Sequence, residues 1–361
     1  MKVLVISNYA PAVHQVRPEA EMIIGLKERG VDMEVMTPAS CWYAKRMEDH
    51  GIHIYDCLPR GKFDRQAIRF IRRALKDGRH DILHAFNSPA IATGIWASMG
   101  LPVKVVTYRG QTGNVSRYNP GWYLTHLSPR VDKIICVADA VHQDLLRHVF
   151  DPDKPITVYK GHDLAWYEGA QPVNLEDYGV PSDAFVVGVV ANQRPRKGLS
   201  VLIESARFLP VDANIRFLLI GRGTDSEDVA KRIAATPAPE KFHTFGIRDD
   251  VLSFVASCDA TVLPALRREG LPKTVIESMA LGVAPIVTAT GGSAELIVDG
   301  KSGLVVPPGD AGAIAKAIET LYEDRERTAE MGRLAKQRLA THFRLEDSIE
   351  QTLAVYRSVL Q

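Results

Sequence analysis

Cysteine is scarce. Four residues, at positions 41, 57, 136 and 258, are spread through 361, and no two form a CxxC pair. This excludes a disulfide scaffold and removes the zinc-site and thioredoxin-type readings. Four buried thiols in a reducing compartment are expected instead. Net charge is almost absent: 44 basic residues against 43 acidic ones leave +1. A dedicated nucleic-acid binder carries a basic excess, so no nucleic-acid partner is expected. No apolar run reaches the ~18 residues of a membrane span. The run from Val3 to Ile6 is too short for a signal-peptide core. The chain therefore reads as cytoplasmic. A G-x-G-x-x-G fingerprint is missing too. LIGRG at 219–223 is followed by Thr224, Asp225 and Ser226, which takes away the main support for a nicotinamide dehydrogenase.

What is present is a globular composition, 46% hydrophobic and 24% charged, at a length that suggests two domains. Short β-branched runs alternate with helical spacing. Strands are expected at 2–7, 31–36, 81–85, 103–107 and 133–137, and a helix at 19–30. The pattern restarts with strands at 185–190, 216–220, 260–263 and 284–287 and helices at 198–208 and 274–281. Such alternation predicts α/β architecture: two Rossmann-like, doubly wound parallel sheets facing a central cleft, with ligands at the carboxyl ends of the strands. The irregular segment 163–183 separates them, giving an N-terminal domain 1–164 and a C-terminal domain 165–344. A last helical stripe over 343–361 carries Ile349, Leu353, Val355, Tyr356 and Val359. It can pack on either domain, and a return onto the N-terminal one is allowed for.

Three segments after strands of the second half carry chemistry. LRREGLPKTVIE (266–277) places Glu269 before a helix and Glu277 two turns inside it, with Pro272 at the helix start. Carboxylates there can accept hydroxyl hydrogen bonds, and the helix N-terminus suits a phosphate. An acidic residue before a helix and another within it are also common without function. NQRPRKG (192–198) puts Arg194, Arg196 and Lys197 at a strand's carboxyl edge, where they can pair with diphosphate or simply form a solvated turn. TATGGSAE (288–295) has Gly291 and Gly292, whose backbone can approach a ligand closely.

In the first half, 60–79 holds eight Arg or Lys against two Asp, with apolar residues interleaved. It reads as an ordinary amphipathic helix with a solvated basic face, or as a peripheral contact with an anionic membrane. The segment 108–118 (YRGQTGNVSRY), with Arg109 and Asn114, reads as a mobile loop over an acceptor. His84, at a strand's carboxyl end, is a candidate to line the cleft. The 11–18 loop contributes His14 and Arg17 as candidate phosphate or acceptor contacts.

Taken together, VVANQRPRKG, LLIGRG, EGLPKTVIESMALG and TGGSAELIVDG resemble the C-terminal half of a retaining GT-B glycosyltransferase of family 4, glycosyl transferases group 1. The resemblance is close over 186–310 and looser before it, through DILHAF, ICVADAV and VYKGHD. It implies a transferase that moves a sugar from a nucleotide-diphospho-sugar to a hydroxyl of a glycan or lipid-linked acceptor, as in cell-envelope polysaccharide or lipopolysaccharide synthesis. It implies no metal and no cofactor beyond that donor. Glu269 would face the reacting sugar, Glu277 would hold the ribose, and Arg194 and Lys197, with Arg196 sharing, would neutralise the diphosphate. Backbone at Gly270, Leu271 and Lys273 would lie against the sugar, Phe245 and Ile247 near the base, and Gly221 at the donor. The chain departs from the family in lacking Gly-Gly in its first loop, in having Arg109 where a histidine is frequent, and in Pro272, which has no N–H to give. A sugar-nucleotide epimerase of the same shape, a phosphorylase and a non-catalytic sugar-nucleotide binder are the alternatives.

Overall fold

The computed structural model describes residues 1–11 and 13–361. The chain divides into two compact units, Met1–His162 with Phe343–Gln361, and Asp163–His342.

The first unit runs β1 (Lys2–Ile6), α1 (Val13–Glu28), β2 (Asp32–Thr37), α2 (Trp42–Asp49), β3 (His53–Asp56), α3 (Arg65–Gly78), β4 (Ile82–Ala85), α4 (Ser88–Ser98), β5 (Lys104–Arg109), β6 (Lys133–Cys136), α5 (Asp139–Leu146) and β7 (Pro155–Thr157). Its strands form one parallel sheet in the order β3-β2-β1-β4-β5-β6-β7. The order reverses between β1 and β4, which makes the sheet doubly wound. Val3, Leu4, Val5 and Ile6 are wholly buried, so β1 is apolar on both faces, as a strand with helices above and below requires.

The second unit runs β8 (Phe185–Val190), α6 (Leu199–Ser205), β9 (Ile215–Ile220), α7 (Glu227–Ala234), β10 (Phe242–Gly246), α8 (Val251–Ala256), β11 (Ala260–Leu263), α9 (Lys273–Ala280), β12 (Ala284–Thr288), β13 (Leu304–Val306), α10 (Ala311–Glu323) and α11 (Arg325–His342). Its parallel sheet has the order β10-β9-β8-β11-β12-β13, with the switch between β8 and β11. Each unit is thus a Rossmann-like α/β layer.

The final helix, α12 (Leu345–Leu360), belongs to the first unit and packs on α1. It buries Ile349, Leu353, Val355, Tyr356 and Val359 in the same core as Ile23, Leu26 and Val5. The Tyr356 hydroxyl reaches His84 Nδ1 at 2.7 Å.

Two local expectations need correction. Residues 13–18 are not a loop: α1 begins at Val13 and carries His14 and Arg17 in its first turns. Val16, Ala20 and Ile24 follow one buried stripe, and that packing outweighs Pro18, which forfeits one backbone bond but has its ring buried. Pro272 is not the first helical residue but the N-cap of α9, in extended backbone at φ −69° and ψ 119°. Of the four thiols, Cys41, Cys136 and Cys258 are buried and Cys57 is half-buried; all four are free. No helix among the described residues is long and apolar enough to cross a membrane.

Burial has a consequence for pH. It pushes His84 and His126 down to about 3. Both imidazoles stay neutral in the fold and take protons on unfolding, where the pKa is near ~6.5. Stability is therefore complete above that value and drains as pH falls towards about 3, by about 1.4 kcal/mol per pH unit for each histidine. The expected outcome is a melting temperature that drops between pH 7 and pH 5, with a shallower drop in His84→Gln. An unchanged slope in that variant would show that His84 does not titrate in this way.

Candidate active site

The site is built from three loops at the carboxyl edge of the second sheet. The first follows β8. It makes a single 3-10 turn, Pro195–Lys197, and then Gly198 at φ 70°. A Cβ on Gly198 would sit 1.8 Å from the Pro264 carbonyl oxygen, so only glycine lets this loop close against the one after β11. A backbone bond from Leu266 N to the Arg196 carbonyl, 2.8 Å, fastens the two loops. The loop is tied to its other neighbour by Asn192 Oδ1, which accepts from Arg222 N at 3.0 Å.

This clamping brings Lys197 and Arg196 onto Glu269. Lys197 Nζ donates to Glu269 Oε1 at 2.8 Å, and Arg196 Nη1 lies 3.8 Å from the same oxygen. Arg196 Nη1 also donates to the Arg268 carbonyl at 3.2 Å. Arg268 itself sits at φ 66°, a left-handed conformation that costs a non-glycine residue of order 1 kcal/mol and is held only where the surroundings impose it. Glu269 is 5% exposed, so it is a buried carboxylate whose charge is met by two cations.

The third loop follows β12. Gly291, at φ 53°, presses on the Glu269 backbone: a Cβ there would lie 2.0 Å from the Glu269 carbonyl oxygen. Gly270 and Leu271 are buried beneath this contact.

Glu277 is the second buried carboxylate, 3% exposed, on the inner side of α9. Lys273, one turn earlier, bonds its Oε1. Burial pushes the Glu277 carboxyl above its ordinary range, and Lys273 opposes the shift. No side chain caps the first turn of α9, so its leading N–H groups are left for another acceptor. A carboxyl held above its unfolded value costs the fold progressively more as pH rises past ~4.3. Glu277→Gln should therefore melt slightly higher than the parent without ligand at neutral pH. A lower melting temperature in differential scanning would contradict this.

The other sequence candidates fall in separate places. Arg194 is exposed and lines a hollow of about 230 Å³ with Asp228 and Arg232; Arg196 is the arginine beside Glu269. Gly221 follows β9 and donates to the Gly246 carbonyl at 2.6 Å. Phe245 packs against Tyr178 and Phe254, with ring centroids 5.4 and 4.7 Å away. Ile247, next along, is 67% exposed.

In the first unit, His84 does not line an open surface. It is wholly buried, because the register that pairs Val5 with His84 turns the imidazole towards α12 and Tyr356. Arg109 is also buried and is used internally: Nη2 donates to the Gly113 carbonyl and the guanidinium lies 5.3 Å from the Trp122 ring centre. Burial pulls its pKa below the usual arginine range, with Asp144 opposing. Asp144 in turn accepts from Gly113 N at 2.7 Å, so this pair shapes the 110–118 loop. Asn114, at φ 66°, is exposed on that loop; His14 is exposed and Arg17 half-buried on α1.

The comparisons with known proteins bear on this geometry. Residues 171–338 match the family model for glycosyl transferases group 1, and residues 20–166 that for glycosyltransferase family 4. HepE of Anabaena, crystallised with UDP, shares the fold at a TM-score of 0.81 and 19% identity, over 99% of this chain and 100% of that one. The chain belongs to the family-4 type of glycosyl transferases group 1 and has the GT-B fold.

Among curated relatives of this chain, the alpha-maltose-1-phosphate synthase of Mycolicibacterium smegmatis is 27% identical over 63% of each chain. The capsular polysaccharide biosynthesis glycosyltransferase CapM of Staphylococcus aureus is 29% identical over 72% of this chain and 71% of its own. The chain thus spans less than two thirds of the first of these relatives. Sequence reasoning missed the Lys273 side chain as partner of Glu277, although Lys and Glu four apart on a helix is a readable signal. It also missed the positive φ of Arg268 and the contact of Gly291 with Glu269, which no local pattern announces.

Proposed function

We propose that the protein transfers a sugar from a nucleotide-diphospho-sugar to a hydroxyl of a glycan or lipid-linked acceptor, with retention at the anomeric carbon, in the synthesis of cell-envelope polysaccharide. The observation that carries this reading is the convergence of Lys197 and Arg196 on buried Glu269, in the loop that leads into α9, whose first turn is uncapped and whose second carries Glu277.

The C1–O bond to the diphosphate breaks, a bond from C1 to the acceptor oxygen forms, and the acceptor's hydroxyl proton passes to the departing diphosphate. Charge accumulates on the departing diphosphate. Lys197 and Arg196 are preorganised cations for it, and preorganised charge is the largest catalytic term available to such a site. Glu269 occupies both, and a bound diphosphate would share them. Glu269 then faces the positive charge that develops at C1. Glu277 accepts hydrogen bonds from ribose hydroxyls, and the N–H groups of α9 face the phosphates. The reading takes no metal and no further cofactor. The relative HepE was crystallised with UDP-glucose, which supports a nucleotide-sugar donor here.

The test is a thermal-shift panel of UDP-, GDP- and ADP-sugars, followed by assay of free nucleoside diphosphate with and without acceptor. A ligand at 100 times its Kd adds about 2.7 kcal/mol, a clear rise in melting temperature. Acceptor-dependent release is expected. Conversion of the donor alone would indicate an epimerase, and binding without release a sugar-nucleotide binder. Glu277→Ala should abolish the shift.

A further inference from the structure

α3 has two faces that serve different ends. Ala67, Ile71, Ala74 and Leu75 are buried, and the helix packs on α4. On the solvent side Arg65, Arg69, Arg73 and Lys76 follow at spacings of four, four and three, all exposed. Arg73 pairs with Asp77 at 3.4 Å; Arg65, Arg69 and Lys76 have no ion pair among the described residues. Like charges one turn apart destabilise a helix, so this stripe gives the fold nothing.

Beside the stripe lies apolar surface that the core does not use. Phe63 is 60% exposed, Trp96 42% and Met99 49%. The Phe63 and Trp96 rings are 6.3 Å apart. Arg72 Nη1 donates to the carbonyls of Ala97 and Met99, at 2.9 and 2.7 Å, and so locks the end of α4 to α3. Next to Trp96 and Met99 opens a hollow of about 480 Å³, walled by Ile95, Tyr123, Leu124 and Pro129 as well.

We infer that this face of the first unit docks on an anionic phospholipid bilayer. Unpaired cations meet lipid phosphates, Phe63, Trp96 and Met99 enter the headgroup boundary, and the hollow receives part of an acyl chain. Charge complementarity selects an anionic surface, and a stripe of cations beside an apolar patch is the pattern that binds lipid rather than free anions. An acidic protein is the competing partner, but the nearly all-apolar wall of the hollow offers it few hydrogen-bonding groups. The inference does not depend on the donor site.

The test is co-sedimentation of the full chain with phosphatidylcholine vesicles, alone or mixed with phosphatidylglycerol. Binding is expected only to the mixed vesicles and should weaken as salt rises. Arg65→Gln with Arg69→Gln should lower affinity by roughly 25-fold, about fivefold per cation. Trp96→Ser with Met99→Ser should lower it while leaving the salt dependence intact. Spin-labelled lipid should quench tryptophan emission, and Trp96→Phe should remove that quenching. The donor-induced thermal shift should be the same in all variants, which separates failure here from failure of the donor reading. Equal binding to neutral vesicles, no binding, or variants that bind as the parent does would overturn the inference. So would an acidic polypeptide that competes fully with the vesicles.

Discussion

Lys197→Ala is expected to lower turnover by roughly 10²-fold or more while the protein stays folded. The lysine contributes little to stability. Its side chain is 22% exposed, and its partner Glu269 keeps Arg196 at 3.8 Å when the amine is gone. The loss falls on the step in which negative charge builds on the leaving diphosphate, because a point charge at the end of a flexible stem has been fixed there by the 195–197 turn. Lys197→Arg restores the charge but not its position, and should recover only part of the rate. The two arginines are separated by the same assay. Arg196→Ala removes a cation next to Glu269 and should cost about tenfold more than Arg194→Ala, whose side chain lies with Asp228 and Arg232. Steady-state kcat with saturating donor, and melting curves for each variant, check both points. Wild-type turnover in Lys197→Ala would remove the lysine from the chemistry.

How far the fold could be read from the sequence follows from where each strand sits. β8 and β11 coincide with their expected bounds because they are interior strands, with apolar residues on both faces. Three strands absent from that reading, β3, β7 and β13, are all edge strands. Each has three or four residues and is partly exposed, so none shows a continuous apolar run. In the site, the charged residues were legible as a set because each follows a strand of one sheet. Their pairing was not. Lys197 and Glu269 are 72 residues apart, and the contact depends on the loops after β8 and β11 closing through Gly198. His84 shows the same limit. Its place at the end of β4 was readable, but the helix that covers it arrives 272 residues later.

Gly291→Ala is the sharpest test of how Glu269 is held. Two costs are expected. The left-handed φ of 53° penalises any Cβ by about 1–2 kcal/mol. The overlap with the Glu269 carbonyl, 2.0 Å away, forces one loop to shift and adds about 1–3 kcal/mol. For a unit of this size that sum lowers the melting temperature by roughly 5–15 °C. The shift also moves the Glu269 carboxylate, and a displacement of ~1 Å at a reacting centre costs about 10²-fold in rate. Gly300→Ala separates the two terms, since Gly300 has φ 73° and nothing within 4 Å of its missing Cβ. It should show the smaller loss of stability and full activity. Isothermal kinetics and calorimetry on both variants decide the matter. If Gly291→Ala matches Gly300→Ala in both measurements, the 288–295 loop does not position Glu269.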